Sequence, residues 1–405
     1  MHLSRYPSIA LFVLPFTGLA QDCESGRYRT PQFADVQTTI AVPFGSNYGT
    51  SGGTQILFMD VYEPVGDVLE QRPVVLVAFG GSFVSGTRAD VAEACIQFAQ
   101  RGYVAIAPDY RVGFFVPNAT TTTLAVLRGA HDMKACVRYL RKSVVESANP
   151  YRIDPERIII GGFSAGAISA LHAGFLDDDA EWPPVLAPQF ASLGGVEGTS
   201  GSPGYSSDVL SVYSFSGCLG DTSWIQPEDL PLCSVHEVGD AVVPYYTQEV
   251  SVFGFPTGLI ASGSHDVHLR LAHMGVDNCL LTYPGSGHVG YVSSDPEGSI
   301  GFVLDFCADL VCNGSSACGN IYASVDVPTE ERTLSVFPNP TTGILNVGSW
   351  GDGPILVLDL LGREVLRVPK TAGNSTIDLS DLPDGTYFLR TAVPDHNPIR
   401  LLKTQ

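Results

Sequence analysis

The chain is short of basic side chains: 22 Lys and Arg stand against 42 Asp and Glu, a formal net charge of -20 over 405 residues. A field of that sign repels phosphate backbones and anionic lipid surfaces, so neither nucleic acid nor a membrane surface is expected as a partner, and solubility is its plain meaning. Long apolar runs are also missing. The run from Ile9 to Phe16 is too short to cross a bilayer, and no later segment approaches the roughly 20 residues needed, so no membrane span is expected. None of the nine cysteines has C-x-x-C spacing, so no structural metal is expected.

At the N-terminus there is instead the pattern of a leader. His2 and Arg5 precede the apolar run, and Gly18-Leu19-Ala20 offers a small-residue cleavage site before Gln21. Residues 1–20 read as a secretory signal, which leaves roughly 385 residues, more than one average domain. Nine cysteines in an exported chain suggest several disulfides and one leftover thiol. Cys218 with Cys233, and two of Cys307, Cys312 and Cys318, are the sequence-local pairings, although spacing does not fix the connectivity.

From residue 54 strand and helix patterns alternate. "TQILFMDVYEP" reads as a strand, and "RPVVLVAFGGSF" opens with the continuous apolar run of a strand buried on both faces. A helix pattern over about 90–101, the strand "YVAIAPDYR", a long helix over 123–142 and an Ile158-Ile159-Ile160 strand follow. Such alternation implies a mostly parallel sheet flanked by helices. Residues 177–204 lose the pattern and read as a cap or loop region, with "DDD" at 177–179 a solvated acidic turn. "LSVYSFSG", "PLCSVHEVG" and "NCLLTYPG" supply three more strands. The catalytic part is placed at 21–320 and a linker at 321–333. Residues 334–405, with short alternating segments between Gly, Pro and Asn turns, read as a small all-β, sandwich-like domain.

The stretch "RIIIGGFSAGAISALHAGF" sets the functional question. A serine fenced by Gly162 and Gly166 at a strand-to-helix junction could be a helix cap, since serine favours that position. The same context is what a nucleophile elbow requires. A serine hydroxyl is a weak nucleophile at neutral pH and needs a base, itself oriented by an acid. In the order Ser, acid, His, with each in a loop after a strand, His288 of "TYPGSGHVGY" is the fitting base. Asp240 of "SVHEVGDAVVPY" is the acid, with Glu237 and Asp266 as competitors. His131, His172, His265, His268 and His273 fall in helix patterns, and His236 inside a strand pattern. Oxyanion donors should come from Ala165 and from "FGGSF" at 79–83, where glycines allow close approach of backbone to substrate.

Over residues 54–306 these pieces, with "APDYR", "GFSAG", "GDAVVPY" and "GSGH", resemble the carboxylesterase and lipase-like branch of the α/β-hydrolases. The resemblance implies that fold, a secreted serine esterase of the carboxylic-ester class, and no cofactor. By matching positions it implies oxyanion N–H groups at Gly81, Ser82 and Ala165. Two departures stand out: Phe79 replaces the family's histidine, and Ser82 its third glycine. The tail, through "FPNPTTGILNV", "LLGREVL" and "LPDGTYFLR", resembles the C-terminal sorting domain of the type IX secretion system of Bacteroidetes-type bacteria. That implies the secretion machinery as a partner and an extracellular or surface-attached product. Competing readings are a serine peptidase on the same scaffold, or a binding protein with a retired hydrolase fold. Acyl groups on polysaccharide, feruloyl groups, short acyl esters and polyester all remain open as substrates. Phe83, Phe114, Phe115, Trp182 and Trp224 are pocket candidates, with core as the default for each.

Overall fold

The computed structural model describes residues 23–114, 116–252, 254–318, 336–347, 354–359, 363–369, 375–391 and 399–404. The expected signal at 1–20, the linker at 321–333 and Phe115 lie outside the described residues. The chain divides into two compact units, Met1–Val325 and Asp326–Gln405.

The first unit is built on an eight-stranded sheet. Its strands are β1 (Val36–Tyr48), β2 (Thr54–Pro64), β3 (Arg72–Ala78), β4 (Val104–Pro108), β5 (Ile153–Phe163), β6 (Ser211–Phe215), β8 (Leu232–Glu237) and β11 (Asn278–Tyr283), in the order β1-β2-β4-β3-β5-β6-β8-β11. β1 and β2 join antiparallel, and the others run parallel from β4 onward. The apolar run of β3 has its cause here: the strand has parallel partners on both edges, and all seven residues are buried. β1 lies in what the sequence reads only as a short N-terminal segment. Most of its side chains are exposed, so no buried alternation marks it.

Helices cover both faces, and β6 shows which. Successive strand residues point to opposite sides. Val212 faces Gly174 of the helix Ala165–Phe175, here α3, while the Tyr213 ring lies 6.0 Å from that of Phe98 in the helix Ala92–Gln100, α1. The long helix α2 (Ala119–Glu146) packs beside α3, where a carbon added at Gly129 would strike the Ser169 hydroxyl. Its N-terminus is capped by Asn118, whose side chain accepts from the Thr121 amide.

Residues 177–204, expected as a cap or loop region, are loop-like, and two other features depart from the sequence expectation. Residues 177–204 form short turns packed on α2, through Trp182 against His131 and Glu197 against Lys134 and Arg138. A hairpin of β9 (Gln248–Val252) and β10 (Phe255–Gly263), joined to β7 (Cys218–Leu219) in a separate three-stranded sheet, went unread. The cysteines also pair differently. Cys23 bonds Cys312 and Cys279 bonds Cys318, while Cys95, Cys136, Cys218, Cys233 and Cys307 are free and buried. Cys218 and Cys233 lie on different strands of different sheets, and proximity in sequence brought neither to a partner. After α4 (Ser264–Met274) the unit closes with α5 (Pro296–Asn313), which carries Cys312.

The second unit has two small antiparallel sheets. One holds β12 (Val336–Phe337), β13 (Ile344–Val347) and β16 (Ser375–Asp378); the other holds β14 (Ile355–Leu358), β15 (Glu364–Val368), β17 (Gly385–Thr391) and β18 (Ile399–Lys403). Leu345, Val347 and Ile377 from one sheet and Val357, Leu389 and Leu401 from the other share a single core, which makes a sandwich. Among the described residues no helix is long and apolar enough to cross a membrane.

Burial pushes every free thiol upward, that of Cys218 to about 12, so none ionises at neutral pH. The native protein is expected to be silent to a thiol reagent and to report five thiols after unfolding without reductant. Fewer than five would mean further disulfides.

Candidate active site

Ser164 joins β5 to α3 at φ 52 and ψ -117, a backbone conformation that costs a non-glycine residue roughly 1–3 kcal/mol. Its side chain makes no helix-capping bond, so the cap reading does not hold. The glycines at either side are steric requirements. A carbon added at Gly162 or Gly166 would lie 2.3 Å from the carbonyl oxygen of Ala78, so the turn packs directly on the end of β3.

The loop after β11 brings His288 to this turn, and the loop after β8 brings Asp240 beneath His288. Nε2 of His288 is 2.8 Å from Ser164 Oγ, and Nδ1 is 2.7 Å from Asp240 Oδ2. A carboxylate can only accept, so Nδ1–H donates to it and Nε2 is left to accept from the serine hydroxyl. Burial alone would push the Asp240 carboxyl up. Hydrogen bonds from His236 and His288, and from the amides of Val242 and Val243 to Oδ1, outweigh burial and hold it well below the usual carboxylate range.

His236 is the neighbour that sequence reading passes over. It is fully buried in β8, with Nε2 3.4 Å from Asp240 Oδ2 and 3.2 Å from the Val243 carbonyl. Both are acceptors, so the proton sits on Nε2 and Nδ1 accepts from Ser264 Oγ at 2.8 Å. Only its four-residue offset from Asp240 could have signalled it. Of the competing acids, Glu237 ends β8 with its carboxylate against Gly285 and Gly287, and Asp266 on α4 accepts from the Thr247 amide. Neither hydrogen-bonds His288. His131, His172 and His268 are buried, and burial lowers them to about 3, 4 and 4.

The loop 79–83 curls beside the serine. Gly81, Ser82 and Phe83 take φ of 128, 53 and 59 in succession, and the Gly81 carbonyl accepts from the amides of Val84 and Ser85. No backbone carbonyl among the described residues accepts from the amides of Gly81 or Ser82. The Ala165 amide opens α3 and has no partner within its helix. Phe79, in the position of the expected histidine, stacks on Tyr110 at 4.3 Å, and the Tyr110 hydroxyl donates to the Phe79 carbonyl. The Asp-Tyr-Arg run thereby anchors the loop, while Arg111 pairs with buried Asp132 at 2.9 Å.

A cavity of about 320 Å³ opens from Ser164. Phe83 and Phe114 line it, whereas Trp182 and Trp224 do not, and residues 177–204 contribute nothing to its walls. Trp182 packs on His131 and Phe190, and Trp224 on His172.

Residues 59–196 match the family model described as BD-FAE, and residues 335–397 match that of the secretion system C-terminal sorting domain. Among curated proteins, a 120-residue stretch is 28% identical to the non-reducing polyketide synthase pkbA of Emericella nidulans. That stretch covers 29% of this chain and 5% of that protein, so the chain spans about one-twentieth of the length of the curated relative it matches. Among solved structures, Thermogutta terrifontis esterase 2 phosphorylated by paraoxon is 20% identical, with a TM-score of 0.43 over 64% of this chain and 86% of that one. The apo form of the same esterase gives 20%, 0.43, 64% and 87%. The first unit thus has the α/β-hydrolase fold, with residues 59–196 similar to the BD-FAE family, and the tail is similar to secretion-system C-terminal sorting domains.

The depressed Asp240 carboxyl makes a stability prediction. Its folded-state value lies below the unfolded one, about 3.9. The stabilisation it supplies is complete above that value and is lost as pH falls below it. The gap in urea midpoint between wild type and Asp240→Asn should therefore be constant from pH 6 to 5 and shrink between pH 4 and 2.5. A gap that stays constant down to pH 2.5 would contradict the assignment.

Proposed function

Taking the chain as an esterase-like α/β-hydrolase with a secretion-sorting tail, we propose that it is an exported serine hydrolase of carboxylic esters, working through an acyl-enzyme. Ser164 Oγ attacks the ester carbonyl while His288 Nε2 takes its proton. Asp240 holds the imidazole in the tautomer that can accept and stabilises the imidazolium that forms. The tetrahedral oxyanion is held by the amides of Gly81, Ser82 and Ala165, whose hydrogen-bonding capacity is not spent on the fold. His288 then returns the proton to the leaving alcohol. Water, activated by the same imidazole, cleaves the acyl-serine and regenerates the hydroxyl.

The observation that carries this reading is the unbroken chain from Ser164 Oγ to His288 to Asp240, at 2.8 and 2.7 Å, with the serine at the strained turn. A serine kept for packing alone would need neither the strain nor the base. The sorting tail supports delivery outside the cell, with the type IX machinery as its partner and either release or surface attachment as the end state.

Ser164→Ala is expected to lower kcat on p-nitrophenyl butanoate by roughly 10⁴-fold or more while leaving the thermal unfolding midpoint close to wild type. Unchanged turnover would remove Ser164 from the reaction. Deleting residues from 334 onward should retain the hydrolysis rate of the purified protein and abolish its appearance outside the producing cell. Export without the tail would overturn the sorting role in this chain.

A further inference from the structure

Which reacting groups border the cavity beside Ser164 bears on which part of the ester it would take. Ser164, Ser82 and Ala165 are on its walls, and His288 is not. In the reaction proposed above the leaving alcohol must depart towards the histidine that protonates it, so the space away from His288 belongs to the acyl side.

The chemistry of the walls selects what fits. Among the described residues no Asp, Glu, Lys or Arg lines the cavity. His172, the one imidazole there, is held neutral by burial, which lowers it to about 4. Its nitrogens are both engaged, Nδ1 with the Ile168 carbonyl and Nε2 with the Gly220 amide. A charged terminus on the acyl chain would be desolvated with no counter-ion, at prohibitive cost. The walls are mostly apolar, with branched aliphatics beside Phe83 and Phe114 and with the hydroxyls of Thr122 and Ser251 as the few further polar groups. Val126 and Ile168 come from α2 and α3, Val243 from the loop after Asp240, and Val250, Val252 and Leu259 from the β9–β10 hairpin. At the roughly 30 Å³ that one water occupies in the liquid, 320 Å³ is room for about ten non-hydrogen atoms. An octanoyl group, with about nine, fills that space, whereas an acetyl group, with about three, leaves most of it to water.

We propose that the enzyme is selective for esters of uncharged, medium-length aliphatic acids of about six to ten carbons, and that the hairpin Gln248–Gly263 is the wall that sets this length. The proposal rests on the serine-esterase reading and adds the substrate class to it.

The test is kcat/KM of the full-length chain on p-nitrophenyl acetate, butanoate, hexanoate, octanoate and dodecanoate, each below its solubility limit. Burial of one methylene corresponds to about a fourfold gain, so the value should climb towards octanoate, exceed that for acetate at least tenfold, and fall at dodecanoate. p-Nitrophenyl hemisuccinate should be at least tenfold poorer than the butanoate. Val250→Trp and Leu259→Trp should each lower the octanoate-to-acetate ratio at least tenfold, with thermal unfolding checked alongside. The wild-type profile stands as a test even if neither variant folds. A profile flat or highest at acetate would overturn the inference, as would methyl ferulate exceeding methyl octanoate. So would a preference that follows the alcohol in ethyl and octyl acetate. In each of those cases the enzyme still cleaves esters, and the serine-esterase reading survives. Silence on every ester from folded protein would instead refute that reading itself.

Discussion

A carbon atom added at Gly162 or at Gly166 would meet the same obstacle, the carbonyl oxygen of Ala78 at 2.3 Å. That close approach of three backbones sets the geometry of the whole site. It lets β5 end, turn and restart as α3 within a few ångströms of the end of β3. The loop leaving β3 is then held over the serine, and a carbon added at Gly80 would lie 3.3 Å from Ser164 Cβ. The parallel pairing of Ala78 with Gly162 and of Phe163 with Phe215 puts the neighbouring strand ends at one level. Loops leaving those ends therefore converge without long excursions, as parallel α/β sheets in general allow.

The electrostatics are similarly concentrated in one group. Asp240 has no exposed side-chain surface, and both its oxygens are committed, Oδ1 to two backbone amides and Oδ2 to His288 with His236 close behind. A carboxylate so held cannot rotate away from His288 without abandoning hydrogen bonds in a buried place, where unmade bonds are costly. The imidazole inherits its orientation from this arrangement. The imidazole is itself the more exposed partner, with 22% of its side-chain surface accessible against none for Asp240. In the mechanism proposed above, the fully buried member of the pair would serve as the acid and the member beside the solvent as the base.

Much of this was legible in the sequence because the relevant signals are local. An apolar strand, two glycines, a serine and a helix pattern occupy fewer than twenty consecutive residues, and the loops of Asp240 and His288 each follow a recognisable strand. What stayed hidden depends on contacts between distant or pattern-poor segments. Cys23 meets Cys312 across 289 residues, beyond any spacing argument, and the near neighbours Cys218 and Cys233 are carried apart by the sheets they join. His236 looks like strand interior because it is strand interior; only the fold reveals that the buried side of β8 faces Asp240. Gly254, Pro256 and Gly258 disguise the β9–β10 hairpin as a loop, and glycines at φ near +75 are what its irregular pairing uses. Residues 177–204, read as a cap or loop region, are loop-like, and what the sequence does not show is that Trp182 and Glu197 bind them to α2.

The hairpin belongs to a different sheet from the strands that lead to Ser164, Asp240 and His288, and it lies in the chain between the Asp240 loop and α4. On the reading proposed above, one part of the acyl wall would be encoded apart from the reacting groups, while Phe83, Ile168 and Val243 on the same wall come from the elements that carry them. On that reading, changes within codons 248–263 would alter one part of the wall and leave the pairings of the central sheet in place, since the hairpin shares none of them. In evolutionary terms, the proposed substrate range could then shift while the proposed reaction stays the same.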